Sequence, residues 1–294
     1  MRMKYFTGQP FFKGNLHLHT TVSDGVLTPE QACELHREAR YDFVAITDHW
    51  KLSRGGWHQG MLLLPGVELN FEHSVQAVHL VCLGLDEAAF SSIEYGDGAA
   101  IAAAKARAAG ARVILAHPAW SLNTPEMIAS LLPLTAVEVY NTTSGPPYNG
   151  RADSSGIIDV MASNGALINL VAVDDTHFYE GEQCQAYIML QADALTEEAV
   201  FAALDAGRFY ATRGPRFEQI ELQGDTLRVS CSPAARILFL SNTYWVKGRC
   251  IEGRGMTSAE YKIRDTDRFV RVIVTDAQGR EAWSNPIPIE HEKK

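Results

Sequence analysis

The stretch "GNLHLHTTVSDG", residues 14–25, decides between two α/β architectures. It reads as a short apolar strand in which alternate residues share a face, so His17 and His19 stand together, opposite Leu16 and Leu18. A doubly wound sheet would follow its first strand with a glycine-rich phosphate loop. Here the strand runs into Thr-Thr-Val-Ser-Asp-Gly instead. Two imidazoles on one face can pinch a cation, or they can be ordinary residues of a half-buried strand.

Working outward, six more apolar runs follow: "YDFVAIT", "MLLLPGVEL", "AVHLVCLGL", "ARVILAH", "TAVEVYN" and "ALINLVAV". Helix-like stretches lie at 28–40, 97–110, 124–132, 151–164 and 196–206. The first opens with Thr28 as N-cap, Pro29 at the first helical position and Glu30 in the first turn; the second closes on Gly110. Buried strands alternating with helices predict parallel βα units, and about seven of them predict a barrel-like α/β fold, with a doubly wound sheet as the alternative. After "GRFYATRGP" (207–215) the helical periodicity stops. "DTLRVSC", "RILFLS" and "RFVRVIVTD" alternate with period two, which predicts a small all-β, sandwich-like domain. The expected division is 1–215 for the barrel and 216–294 for the β-domain.

The chain has 294 residues, 46% hydrophobic and 21% charged, an ordinary globular composition. A net charge of −9 argues against binding a nucleic-acid polymer through a basic face. A small phosphorylated substrate stays open, because bound cations reverse the local field. No apolar run is long enough to span a bilayer, and "MRMKYFTGQPFFKG" does not read as a signal peptide. The five cysteines are scattered, never in a C-x-x-C pair, and read as reduced thiols of a cytoplasmic protein with no membrane partner.

Histidine placement is the informative signal. His17, His19, His49, His79, His117 and His177 lie in or just after predicted strands, accompanied by Asp24, Glu68 and Asp175. In an α/β barrel such strand ends converge on one rim. Each residue alone has an ordinary explanation, as a core histidine, a helix cap or a turn residue. Jointly they would cost several kcal/mol apiece to bury unpaired, and only Lys51 and Arg54 are nearby bases. Divalent cations resolve the imbalance. His36 and His291 read as structural, while His58 and His73 are loop residues within possible reach of the pocket.

The motifs "HLHTTVSDG", "ITDH", "GVE", "VHLVCLGL", "AHP" and "DDTH" resemble, in order, those of the PHP (polymerase and histidinol phosphatase) domain. The resemblance implies a distorted (β/α)7 barrel with a two- or three-metal centre. It assigns His17, His19, Glu68 and Asp175 to one ion; Glu68, His79 and His117 to a second; and Asp24, His49 and His177 to a third. The "GRFYATRGP" junction and "AWSNPI" (282–287) are similar to a branch with a C-terminal β-domain, which includes carbaryl-hydrolase-like proteins.

Imidazole and carboxylate ligands without thiolate suit zinc, manganese or iron. The expected activity is a metal-dependent phosphoesterase acting on a small phosphorylated metabolite or nucleotide, with a metal-bridging hydroxide as nucleophile. Glu68 would be the bridge, and, if the third site is empty, His49 or His177 the proton donor. Asp48 and Asp174 would orient imidazoles. Arg54, Trp120, Asn141 and Arg213 are the expected substrate contacts, with Asn123 and Tyr140 also at strand ends. The alternatives are a carbamate, ester or amide hydrolase on the same centre, and a non-catalytic metal-binding regulatory module.

Overall fold

The structure, a computed structural model, describes residues 2–6, 8–72 and 74–291; His73 lies outside them. All five expected helices form: Pro29–Glu38, Gly98–Ala108, Pro125–Leu131, Ser155–Ser163 and Glu197–Asp205. Thr28 caps the first through a capping box with Gln31, and Gly110 follows the second at φ 86°. A short extra helix, Glu87–Ser91, was not foreseen.

The strands divide between two sheets. In the smaller, Asn169–Val173, Ala136–Asn141 and Arg112–Leu115 run parallel, while Ala77–Leu83 and Gly66–Glu72 pair antiparallel. The expectation of uniformly parallel βα units fails there for a simple reason. Only residues 73–76 separate those two strands, too few for a crossover, so they form a hairpin. In the larger sheet, Phe11–Asn15, Phe43–Ala45 and Met61–Leu64 are parallel neighbours. The expected barrel is not one closed sheet; single bridges, Leu18 to Thr176 and His49 to Glu68, touch between the two sheets.

The larger sheet continues from Phe11–Asn15 through Tyr187–Gln191 and Phe209–Thr212 to Glu281–Ser284 and the strands of the C-terminal region. Arg2–Lys4 pairs with Phe217–Gln223 in that region. Side chains cross as well. The buried Arg271 guanidinium grips Asp159 of a helix at 2.6 and 2.8 Å, and Trp283 stacks on Tyr140 with centroids 5.8 Å apart.

Apolar cores lie on the two faces of these strands. The helices Gly98–Ala108, Pro125–Leu131 and Ser155–Ser163 cover one with Ala102, Ala106, Ile128 and Ile158, and Glu197–Asp205 covers another with Val200 and Leu204. Gly14 is forced by this packing, since a Cβ there would sit 2.1 Å from the Phe43 ring. Among the described residues no helix is long and apolar enough to cross a membrane.

Candidate metal centre

The hydrogen-bonded strand Phe11–Asn15 ends before both histidines, a shift from the predicted 15–19. The chain beyond it stays extended enough to alternate, burying Leu16 and Leu18 on one side and His17 and His19 on the other. His49, His117, Asp175 and His177 also follow strand ends, whereas Glu68 and His79 sit within the hairpin. At His117 (φ 29°) and Asp175 (φ 55°) the backbone enters the left-handed region. Non-glycine residues there carry strain that typically marks a functional turn.

Four donor atoms form a tight cage. His17 Nε2 lies 3.2 Å from both Glu68 Oε2 and Asp175 Oδ1. His19 Nε2 lies 3.1 and 3.2 Å from the same two oxygens, and the two nitrogens are 3.1 Å apart. A regular tetrahedron with such edges has its centre roughly 1.9–2.0 Å from each corner, close to zinc–imidazole and zinc–carboxylate bond lengths. His17 Nδ1 is committed to Glu138 Oε1 at 2.7 Å, and His19 Nδ1 faces Ser23 Oγ at 3.3 Å. Protons on those Nδ1 atoms leave two Nε2 lone pairs facing each other and two carboxylate oxygens. Asp175 Oδ1 is buried and makes no hydrogen bond. A cation satisfies all four atoms at once.

The neighbouring imidazoles repeat the arrangement. His117 Nδ1 is bound to Ser121 Oγ at 2.9 Å and His177 Nδ1 donates to the Asp175 carbonyl at 2.7 Å, so each turns Nε2 toward the carboxylates. Among the described residues, three groups bring donor atoms within 4.8 Å of one another: His17, His19, Glu68 and Asp175; His49, Glu68 and His79; and His19, Asp24, His49 and His177. The first matches the expected set. In the second, His49 Nδ1 meets Glu68 Oε2 at 3.1 Å and His79 Nδ1 meets Glu68 Oε1 at 2.9 Å. His117 Nε2 stands farther off, 3.6 Å from Glu68 Oε1.

The electrostatics favour cations. Burial pushes the His17 imidazole down, but Asp175, Glu68 and Glu138 outweigh it and hold its pKa well above the usual histidine value. His19 is raised in the same way by Asp175, Asp24 and Glu68. Against the penalty of burial, the histidines hold Glu68 and Asp175 below the usual carboxylate range. His49 is lowered, chiefly by burial.

Several expected residues do other work. Asp48 orients no imidazole: it accepts from the backbone and hydroxyls of Thr20 and Ser23, tying down the loop that carries Asp24. Asp174, pushed up to about 7 by burial, likewise accepts from Asn15, Thr142, Gln185 and Ala186. Trp120 lines the cavity over the cluster, packed edge-on against His79 and His117. Asn141 is buried behind it, donating to Glu138 and Asp175. Arg54 and Arg213 do not line the cavity. Arg54 is 83% exposed and pairs with Glu87 at 2.9 Å, while Arg213 lies over the Tyr140 ring. Asn123 binds the Ala77 carbonyl, His58 faces Glu34, and His36 and His291 bind backbone carbonyls.

Two carboxylates escaped the sequence reading. Glu138 joins His17, the His117 N–H and Asn141; a carboxylate between Val137 and Val139 in a buried strand was its signal. Glu182 accepts from the backbone N–H groups of His177, Phe178, Tyr179 and Glu180 at 2.6–3.3 Å.

No family model matches the sequence. A stretch is 38% identical over 82 residues to the 5′-3′ exoribonuclease Rnm of Salmonella typhimurium, covering 24% of this chain and 27% of that protein. Another comparison gives 31% identity over 80 residues with the 3′,5′-nucleoside bisphosphate phosphatase of Chromobacterium violaceum, covering 25% and 28%. The chain thus spans about a quarter of the length of the curated relatives it matches. Among solved structures, a two-domain protein of Bacteroides vulgatus containing a predicted PHP-like metal-dependent phosphoesterase superposes with a TM-score of 0.55 at 16% identity, over 96% of both chains. The chain therefore has a PHP-like fold, as its motifs implied. The carbaryl-hydrolase-like branch finds no counterpart among these proteins.

Proposed function

We propose that the chain is a metal-dependent phosphoesterase acting on a small phosphorylated molecule. The observation that carries this reading is the four-atom cage of His17, His19, Glu68 and Asp175, with further imidazoles on both sides of Glu68. His17, His19, Glu68 and Asp175 would hold one ion; Glu68 and His79, flanked by His49 and His117, a second; Asp24, His49 and His177 a third. Bound there, the ions would neutralise phosphoryl charge and lower the pKa of water toward neutrality. The protein supplies the rest. Glu138, Ser121 and the Asp175 carbonyl fix the tautomers of His17, His117 and His177. His177 and His49 line the cavity, and with no ion in the third position either would hold a proton for the leaving oxygen.

The bridges at Leu18–Thr176 and His49–Glu68 support reading the two sheets as one interrupted ring of seven strands. Every ligand proposed here falls in residues 1–215, so residues 216–294 would be a supporting unit that supplies none. A carbamate, ester or amide hydrolase is the second reading, favoured because among the described residues no lysine or arginine lines the cavity.

Elemental analysis of protein expressed with excess manganese or zinc should find at least two ions per chain. A panel of p-nitrophenyl phosphate, a 5′-phosphorylated oligoribonucleotide and an acyl ester then tests the chemistry. The phosphomonoester should turn over fastest; a faster acyl ester would overturn the reading in favour of the second one.

A further inference from the structure

We propose that the cavity selects phosphomonoesters that carry one phosphate and one planar ring system, with Phe178 and Tyr148 as the stacking platform. The inference deepens the phosphoesterase reading and rests on it.

The cavity, about 460 Å³, is lined by two kinds of side chain. Asp24, His49, Glu68, His79, His117, Asp175 and His177 are titratable. Trp120, Thr143, Ser144, Tyr148, Asn149 and Phe178 form neutral walls. One phosphate can be met by cations held by the titratable group. Among the described residues no lysine or arginine lines the cavity to meet a second phosphate on the same molecule, and burying an unpaired charge costs heavily. Arg54 pairs with Glu87 and Arg213 lies over Tyr140, while Lys51 and Arg151 are exposed and outside the cavity lining.

Instead of charge, the walls offer aromatic faces. Phe178 and Tyr148 lie 4.6 Å apart, tilted by 32°. Phe178 also packs against the His177 ring at 5.9 Å, yet 43% of it stays exposed. Its backbone is held firmly, because Glu182 Oε1 accepts from the Phe178 and Tyr179 N–H groups at 2.6 Å. A large, part-exposed apolar ring on a held backbone beside the titratable cluster is placed to stack a flat ligand. Thr143, whose hydroxyl already donates to the Asp174 carbonyl, is not free to replace it as an anchor.

The test is calorimetric titration of manganese-loaded protein with inorganic phosphate and with the non-hydrolysable phosphonate analogues of glycerol 3-phosphate, phenyl phosphate, adenosine 5′-monophosphate and adenosine 3′,5′-bisphosphate. Ring-bearing monophosphates should bind about tenfold or more tighter than glycerol 3-phosphate, the usual scale of one stacking contact. The 3′-phosphate should add no affinity. A gain shared by phenyl phosphate assigns the platform to aryl groups in general, and a gain with adenosine alone assigns it to nucleobases. Phe178→Ala should collapse the ring preference and Phe178→Trp should restore it; Tyr148→Ala provides a second, independent variant. Tighter binding of the bisphosphate, or a ring preference that survives both alanine variants, overturns the proposal. Turnover measured on the parent phosphate esters judges the phosphoesterase reading separately. Ring-dependent binding without hydrolysis would remove that reading and keep the platform; hydrolysis without ring preference would do the reverse.

Discussion

Glu138 Oε1 lies 2.7 Å from His17 Nδ1, and both side chains are wholly buried. A carboxylate on the far nitrogen fixes the tautomer of an imidazole and raises its basicity toward a cation. Glu138→Gln should therefore weaken metal binding about 10–100-fold. Competition against a chelator of known affinity measures it, and unchanged affinity would remove Glu138 from the centre.

Glu68 touches five imidazoles, His17, His19 and His49 through Oε2 and His79 and His117 through Oε1. Glu68→Gln should cost the protein two ions per chain, whereas Asp24→Asn should cost one at most. Equal metal content in the two variants would mean that Glu68 serves a single ion.

Burial holds the His36 imidazole down at about 4, against about 6.5 for the free side chain. Between those values the unfolded chain binds a proton that the folded chain does not. Stability from this residue is thus intact above pH 6.5 and falls as pH drops toward 4, by about 3 kcal/mol in full. Urea unfolding in the presence of chelator at pH 7.5 and 4.5 should show a smaller acid loss for His36→Gln than for wild type. Parallel losses would sink this assignment.

Arg271 is completely buried and its charge is met by Asp159, which is one-third exposed. Asp159→Asn should destabilise the fold by about 3 kcal/mol, the lower end for stranding a buried charge. Replacing both residues, Arg271→Met with Asp159→Leu, should recover much of the loss. Thermal unfolding of the single and double variants decides, and additive losses would count against a coupled pair.

Legibility from sequence followed the range of the forces involved. The helices could be read because their caps are local: Thr28 with Gln31, or Gly110 at the end of Gly98–Ala108. The clustered side chains could be picked out because most stand in or just after an apolar run, even where the hydrogen-bonded strand stops earlier, as before His17. Pairing direction was misread where a connection was short, at Gly66–Glu72 and Ala77–Leu83. Tyr187–Gln191 and Phe209–Thr212 were missed altogether, since a few apolar residues carry no period of their own. The arginines were the poorest guess. A long cation goes wherever a distant carboxylate or ring awaits it, as Arg54 goes to Glu87 and Arg213 to Tyr140, and nothing in its neighbours along the chain records that.

The order in which the chain leaves the ribosome bears on the large sheet. Phe11–Asn15, which launches His17 and His19, has Tyr187–Gln191 as one of its two neighbours, and Arg2–Lys4 waits for Phe217–Gln223. Until about two-thirds of the chain has been made, the first of these strands presents a bare row of N–H and C=O groups, the kind of edge that recruits other chains. Asp175, the last corner of the four-atom cage, emerges only shortly before that edge can be covered. The four-atom cluster is therefore completed late in synthesis, and a nascent chain stalled before residue 187 would carry His17 and His19 just beyond an unprotected strand.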